Sequence, residues 1–338
     1  MEKVVRKEFQ NKTILVTGGT GSIGLGLIKQ LIKCKPKHIR IFSNDENSIV
    51  EIKELIGENK MFQFMVGDVR DKDRLRLAIR NVDIVFHAAA MKHIDICEQN
   101  PFDAVKTNVV GTSNILEVAI IENVSKFIFI STDKATNPTS TLGGSKLLAE
   151  RLTSDASSYV GTGKTKFAIV RFGNVIGSRG SVFQIFQKQI VNGKPLTITD
   201  ARMTRFIMSI SEAAQMILKV THKAKDGEIF ILKMPSVRIE DLAVGMLKVF
   251  KKRFAKSSIS GKIKISKSRE RERFHEFLVT NEEIPYCYDI GDMYKITRTE
   301  NKNRKINVKE FSSESATRIN EKHLHKIINE LIDDYITY

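Results

Sequence analysis

Three glycines, Gly18-x-x-Gly21-x-x-Gly24, separate a run of strand formers, Thr13–Thr17, from a helical pattern over residues 23–32. No other segment narrows the fold as far. Glycines at these positions allow a tight turn and let backbone amides approach a pyrophosphate, while the helix N-terminus adds partial positive charge. An acidic residue is expected at the end of the second strand, about 20 residues on, and Asp45 stands there. The spacing therefore predicts a dinucleotide held by Gly18, Gly21, Ser22, Ile23 and Gly24, with Ser43, Asn44 and Asp45 close by. Asp68 and Val69, after the third strand, are placed to touch the adenine. Ala88, Ala89 and Ala90, after the fourth, are small where the dinucleotide passes.

The rest of the first half keeps the same rhythm. Strand patterns at residues 38–43, 62–66, 83–88, 126–131 and 167–171 alternate with helical patterns at 46–56, 71–80, 105–122 and 146–158. Such alternation predicts an α/β fold with a doubly wound parallel sheet, and near-continuous apolar strands fit burial on both faces. Past Gly173 the pattern loosens into α+β material: helices over 182–191, 210–220, 241–254 and 318–332, with strands at 196–199 and 229–232. We therefore expect a dinucleotide-binding domain over 1–175, to whose sheet a strand near 229–232 returns. A smaller substrate domain covers most of 176–338.

Composition limits the partners. Lys plus Arg number 55 against 39 Asp plus Glu, a net charge of +16, which favours anionic ligands. The excess gathers at Lys251-Lys252-Arg253, Lys262-Ile263-Lys264 and Lys267-Ser268-Arg269, without a known nucleic-acid module, interleaved aromatics or any Trp. A solvated basic face is expected, not nucleic-acid binding. The three cysteines are odd in number and widely spaced, so they read as reduced thiols. His323-Leu324-His325 is the wrong spacing for one helix face, and no metal is expected. No apolar run reaches membrane-spanning length and the first residues lack an apolar signal core, so a cytoplasmic protein is expected.

The chemistry gathers after the fifth strand, in Ser131-Thr132-Asp133-Lys134. Doubly wound sheets bind their ligands at the carboxyl ends of the strands. Thr132 can hydrogen-bond a sugar hydroxyl, and Asp133 can give or take a proton. Lys134 can act as a base if burial or a neighbouring cation favours its neutral form, and Lys146 in the next helix is such a cation. His93, beside Lys92, is a further candidate for touching substrate.

These segments resemble the extended short-chain dehydrogenase/reductases, and within them the inverting UDP-N-acetylglucosamine 4,6-dehydratases of polysaccharide biosynthesis. The resemblance lies in Thr-Gly-Gly-Thr-Gly-Ser-Ile-Gly (17–24), Gly-Asp-Val-Arg-Asp (67–71), Ala-Ala-Ala-Met-Lys-His (88–93), Thr107-Asn108 with Gly111-Thr112, and Ser-Thr-Asp-Lys-Ala-Thr-Asn-Pro (131–138). It continues through Arg-Phe-Gly-Asn-Val-Ile-Gly-Ser-Arg-Gly-Ser (171–181), Met203 to Phe206 and Arg269 to Glu276. The set spans nearly the whole chain in order.

What the resemblance implies is a reaction on one bound nucleotide sugar. NADP takes hydride from C4, a base removes the C5 proton, hydroxide leaves C6, hydride returns to C6, and C5 is inverted. The product, a 4-keto-6-deoxy sugar nucleotide, would feed surface polysaccharide or nonulosonic acid synthesis. It further implies Asp133 and Lys134 in the elimination, with Thr132 and Lys146 beside them, and Lys92, Asn108 and Lys146 near the cofactor. Lys92, His93, Asn174, Arg179, Ser181, Val182, Thr197, Thr199, Arg205, Arg269 and Glu272 would lie near the substrate, and a homodimer or hexamer is expected.

Three positions depart from the family. Leu142 stands where many members have the catalytic tyrosine, so another group must take the C4 hydroxyl proton, with Lys134 acting through Thr132 one route. Asn44 replaces an arginine suited to a 2′-phosphate, which leaves NAD open beside NADP. Arg269-Glu270-Arg271-Glu272-Arg273 replaces an Arg-Pro-Gly-Glu-Lys run around the nucleotide. Two alternatives stay open: a 4-oxidase/5,6-dehydratase that releases an unsaturated ketosugar, and a non-catalytic nucleotide-sugar sensor.

Overall fold

The structure, a computed structural model, describes residues 3–161, 163–254, 261–266, 272–302 and 306–336. The first half runs α1 (Lys3–Phe9), β1 (Thr13–Thr17), α2 (Ser22–Ile32), β2 (His38–Ser43), α3 (Glu46–Ile56), β3 (Phe62–Val66), α4 (Lys72–Ile79) and β4 (Ile84–His87). Then come α5 (Ile94–Gln99), α6 (Pro101–Val105), a π-helical turn (Lys106–Val110), α7 (Gly111–Ile121), β5 (Lys126–Ile130), a 3-10 turn (Asp133–Ala135), α8 (Thr141–Asp155) and β6 (Lys166–Arg171). The second half contributes β7 (Asn174–Ile176), α9 (Val182–Val191), β8 (Leu196–Ile198), β9 (Thr204–Ser209), α10 (Ile210–Lys223) and β10 (Asp226–Leu232). It ends with β11 (Ser236–Arg238), α11 (Ile239–Phe254), β12 (Ile263–Ile265), β13 (Cys287–Asp289), β14 (Met293–Ile296) and α12 (Glu321–Ile336).

These elements form two compact units. The first comprises Met1–Phe172, Ser211–Leu232 and Thr280–Ile306. Its nine-stranded sheet has the order β13-β14-β10-β6-β5-β4-β1-β2-β3. It is parallel from β3 to β10, and β14 and β13 close the edge antiparallel. All residues of β1 and β4 are buried, as strands covered by helices on both faces must be. Strand order reverses between β1 and β4, and a crevice opens at the carboxyl ends on either side of such a switch point.

Local chemistry starts the helices. Asp45 caps α3 by accepting from the Ser48 amide, Asp71 caps α4 through the Arg74 amide, and Ser140 caps α8 through the Gly143 amide. The Ser140 cap moves the start of α8 ahead of the residue 146 expected from sequence. The helix expected over 105–122 is interrupted by the π-turn, a feature that marks functional sites more often than chance.

The second unit comprises Gly173–Ile210, Lys233–Val279 and Asn307–Tyr338. It holds a three-stranded sheet, β11-β9-β7, and a parallel pair, β8 with β12. Its own core gathers Phe183 and Phe186 of α9, Leu242, Met246 and Phe250 of α11, and Ile328 of α12.

Candidate active site

In the first unit, the loop after β1 is shaped by contacts that only glycine permits. Gly18 has φ +63°, and a Cβ there would lie 2.7 Å from the Ala89 amide nitrogen. A Cβ on Gly24 would lie 2.3 Å from the Gly18 carbonyl oxygen. Gly21 occupies the N-cap of α2 and no side chain caps that helix, so its positive end is left for a ligand anion. The residues present thus fit a dinucleotide: a backbone cradle, an uncapped helix, and Ala88 to Ala90 alongside.

Beneath the loop lies a chain of hydrogen bonds around His87, a residue whose place in an otherwise apolar strand was the signal for it. His87 is fully buried, and burial, reinforced by the charge of Lys146, pushes its pKa down to about 3. It is therefore neutral. Thr112 Oγ1 donates to the Asn108 carbonyl at 2.7 Å, so it must accept from His87 Nε2 at 3.1 Å. That leaves His87 Nδ1 as the acceptor from Thr17 Oγ1 at 2.7 Å. Asn108, in the π-turn, is also committed internally. Its Oδ1 accepts from the Met91 amide, and its Nδ2 donates to the Met91 carbonyl and to Ser145 Oγ. This corrects the expectation of a direct cofactor contact: the Asn108 side chain braces the Met91 loop against α8.

The Thr132–Asp133–Lys134 segment forms a tight hub. Asp133 is fully buried. Its Oδ1 accepts from Thr132 Oγ1 at 2.9 Å and from Lys134 Nζ at 3.0 Å, and its Oδ2 has no protein partner. The Thr132 hydroxyl thus donates to Asp133, which corrects the route that ran from Thr132 to Lys134. Ser131 Oγ is likewise buried without a partner, and sequence reasoning passed over it. A buried polar atom lacking a partner is costly and usually has a ligand or water to meet.

Helix α8 lies against this hub. A Cβ on Gly143 would sit 2.4 Å from the Lys134 carbonyl oxygen, which accounts for glycine there. Lys146 is buried, donates to the Ile130 carbonyl at 3.0 Å and lies 4.7 Å from the Phe129 ring centre. Burial lowers its pKa from 10.5 to about 8, against the opposing pull of Glu150 and Cys97. Leu142 is 3% exposed and packs with Cys97, Ala104, Met91 and Ile94. An apolar cluster therefore fills the place of the tyrosine. Lys92 and His93 are exposed just before α5.

Farther along the sheet, Arg171 is buried between two carboxylates, bonded to Glu150 at 3.0 and 2.6 Å and to Glu283 at 2.7 and 2.8 Å. At the end of β2, Asp45 is engaged as the α3 cap, while Asn44 donates to Asp68 Oδ2 at 3.5 Å. Val69 is buried behind Asp68.

The second unit gathers most of the expected substrate residues. Asn174 opens β7, Arg179 is exposed in the following loop, Ser181 is the N-cap of α9, and Val182 is its first residue. Asn174 Oδ1, Ser181 Oγ and Glu272 Oε2 are buried and unpartnered. Arg205 on β9 is buried, bonded to the Thr204 and Phe274 carbonyls at 2.8 and 3.1 Å, with Glu272 at 3.4 Å and Glu276 at 3.7 Å. The hydroxyls of Thr197 and Thr199 have partners inside the unit: Gln189 Nε2 at 2.7 Å and Met203 Sδ at 3.1 Å. They tie β8 to its neighbours. Arg269 lies outside the described residues.

Comparison with known proteins identifies the family of the chain. The family model described as "Polysaccharide biosynthesis protein" matches residues 14–298. A protein of Methanocaldococcus jannaschii named as an uncharacterized membrane protein is 48% identical over 326 residues, 96% of this chain and 97% of that one. A UDP-N-acetylglucosamine 4,6-dehydratase (inverting) of Campylobacter jejuni is 40% identical over 291 residues, 86% of this chain and 84% of its own. The X-ray structure of Pen from Bacillus thuringiensis matches with a TM-score of 0.88 and 37% identity, covering 95% of this chain and 98% of that one. Among the described residues, no helix is long and apolar enough to cross a membrane.

Proposed function

The chain belongs to the polysaccharide biosynthesis protein family of extended short-chain dehydrogenase/reductases, and we propose that it dehydrates UDP-N-acetylglucosamine to a 4-keto-6-deoxy sugar nucleotide with inversion at C5. It is a nucleotide-sugar dehydratase, and the Gly18, Gly21 and Gly24 loop supports a nicotinamide cofactor. The observation that carries the reading is the buried Asp133 carboxylate, one oxygen shared by Thr132 and Lys134 and the other without a protein partner.

A nicotinamide dinucleotide held by Gly18, Gly21, Gly24 and the α2 N-terminus would take hydride from C4 and return it to C6. Thr132 accepts the C4 hydroxyl proton while passing its own to Asp133 Oδ1. The protonated Asp133 gives that proton to the departing C6 hydroxyl, which leaves as water. Lys134 takes the C5 proton, acidic beside the C4 ketone. Buried Lys146 fixes the β5 end through the Ile130 carbonyl. Arg205 and the orphaned polar atoms of Asn174, Ser181 and Glu272 support a role in holding the nucleotide; charge-assisted bonds to a diphosphate suit arginine.

Apolar Leu142 favours one competing product: without an acid or base there, an unsaturated 5,6-ene released before hydride return is the second reading. Incubation with UDP-N-acetylglucosamine in deuterated water, followed by NMR, separates them. A C6 methyl with deuterium at an inverted C5 supports the main reading, a C5=C6 alkene the second, and an unchanged sugar refutes both. In single turnover, Lys134→Ala should still reduce the cofactor but lose C5 exchange, whereas Asp133→Asn should lose both. C5 exchange by Lys134→Ala at the wild-type rate would remove Lys134 as the base.

A further inference from the structure

The end of β2, where a dinucleotide bound to this loop presents its adenosine ribose, carries no cation. Ser43, Asn44, Asp45 and Glu46 follow one another there. Ser43 Oγ and Thr20 Oγ1 bond each other at 2.8 Å. Helix α3 already has its anion: the Asp45 carboxylate accepts from the Ser48 amide at 3.1 Å and the Ser48 hydroxyl at 2.6 Å. The helix end that would otherwise welcome a phosphate is occupied.

The group facing Asn44 is a carboxylate. Asn44 Nδ2 donates to Asp68 Oδ2 at 3.5 Å. Arg70 is close, but Asp68 holds it bidentately, Nε to Oδ1 at 3.0 Å and Nη2 to Oδ2 at 2.7 Å. Asp103 adds a second carboxylate 3.5 Å from the guanidinium. Chiefly through those Arg70 bonds, the Asp68 carboxyl is held below the usual carboxylate range. The next arginine, Arg74, donates its Nε to the Val66 carbonyl at 2.8 Å. A ribose 2′-hydroxyl could bond the acceptors here without adding charge. A 2′-phosphate would bring between one and two further negative charges, about −1.5 to −2 at neutral pH, to a rim already holding Asp45, Glu46, Asp68 and Asp103.

We infer that this pocket takes NAD(H) in preference to NADP(H), and that Asn44 together with the Asp68–Arg70 pair sets the choice. The inference rests on the nicotinamide reading above and narrows it, against the NADP implied by family resemblance.

The test is calorimetric titration of the apo protein with NAD⁺ and NADP⁺. Wild type should bind NAD⁺ at least about tenfold more tightly. Asn44→Arg supplies the absent cation, so NADP⁺ should tighten by about tenfold or more, the usual worth of a charge-assisted bond, while NAD⁺ changes little. The inference is overturned if wild type binds NADP⁺ as tightly or more tightly, or if Asn44→Arg leaves the ratio unchanged. A protein that prefers NADP⁺ and still dehydrates the sugar loses only this inference. Binding of neither dinucleotide removes the cofactor reading and this inference together.

Discussion

Lys146 offers a direct test of the site's electrostatics through stability. Its amine is buried, with a pKa lowered from 10.5 to about 8. At pH 7 the amine is protonated in both folded and unfolded chains, and the folded state carries the full cost of burying the charge. At 1.36 kcal/mol per unit that cost is about 3 kcal/mol. As pH rises through 8, the folded amine loses its proton while the unfolded one keeps it. The unfolded chain then binds more protons, so this group's contribution to stability improves with pH until about 10.5. At pH 9.5 about 1 kcal/mol of the cost is left. Lys146→Met keeps most of the apolar stem and removes the charge. It also loses the bond to the Ile130 carbonyl and the contact with Phe129, each worth about 1 kcal/mol, but these losses largely cancel between the two pH values. Urea unfolding at pH 7.0 and 9.5 should therefore show the variant's stability relative to wild type falling by about 2 kcal/mol on the alkaline side. A variant whose stability relative to wild type stays flat or rises with pH would refute a charged amine buried at this position.

Two further outcomes are expected. Arg171→Met leaves Glu150 and Glu283 buried without their cation and should cost about 3–5 kcal/mol in urea unfolding at pH 7. Burial would raise the Glu283 carboxyl, but Arg171 outweighs it and holds it below 4.5, so this stabilisation is present above 4.5 and lost as pH falls through the lower folded value; the deficit should shrink in acid, and a deficit unchanged at pH 4 would count against the triad. Gly143→Ala should cut turnover at least about tenfold while Gly144→Ala does not, because the first Cβ would meet the Lys134 carbonyl at 2.4 Å and the second meets nothing within 4 Å; equal kcat in both variants would show that α8 does not set the hub.

Much of the fold was legible because its signals are local. The strand–glycine–helix unit at 13–32 and the apolar strands of the parallel sheet declare themselves by periodicity and turn chemistry. Strand β9 was missed although nearly all of it is buried, since Thr204 and Arg205 interrupt its apolar pattern, and β13 and β14 are too short to show a period. At the site, the sequence named Asp133, Lys134 and Lys146 but not how they are bonded. Which oxygen Thr132 uses, that Asn108 is a brace, and that Arg70 is neutralised by Asp68 depend on a few ångströms set by the tertiary fold. Ser131 was overlooked because nothing local distinguishes a buried serine from a solvated one.

The loss of the tyrosine at Leu142 changes the proton count that the hub must handle. On the proposed reaction, the C4 hydroxyl and C5 each release one proton; the leaving water takes one and C5 later takes the other. The C4 proton reaches Asp133 by way of Thr132, because the Thr132 hydroxyl already donates to Asp133 Oδ1. The C5 proton goes to Lys134, bonded to the same oxygen. Both can be accepted only if Asp133 begins as a carboxylate and Lys134 as a neutral amine, one proton short of the ion pair. Inversion then adds a constraint: Lys134 takes the proton from one face of C5, so the proton that completes the product must come from another donor on the opposite face. The same chain without that donor would exchange C5 with retention or stop at the alkene. The stereochemistry of the deuterated product therefore tells whether the hub alone, or the hub with a second acid, completes the cycle.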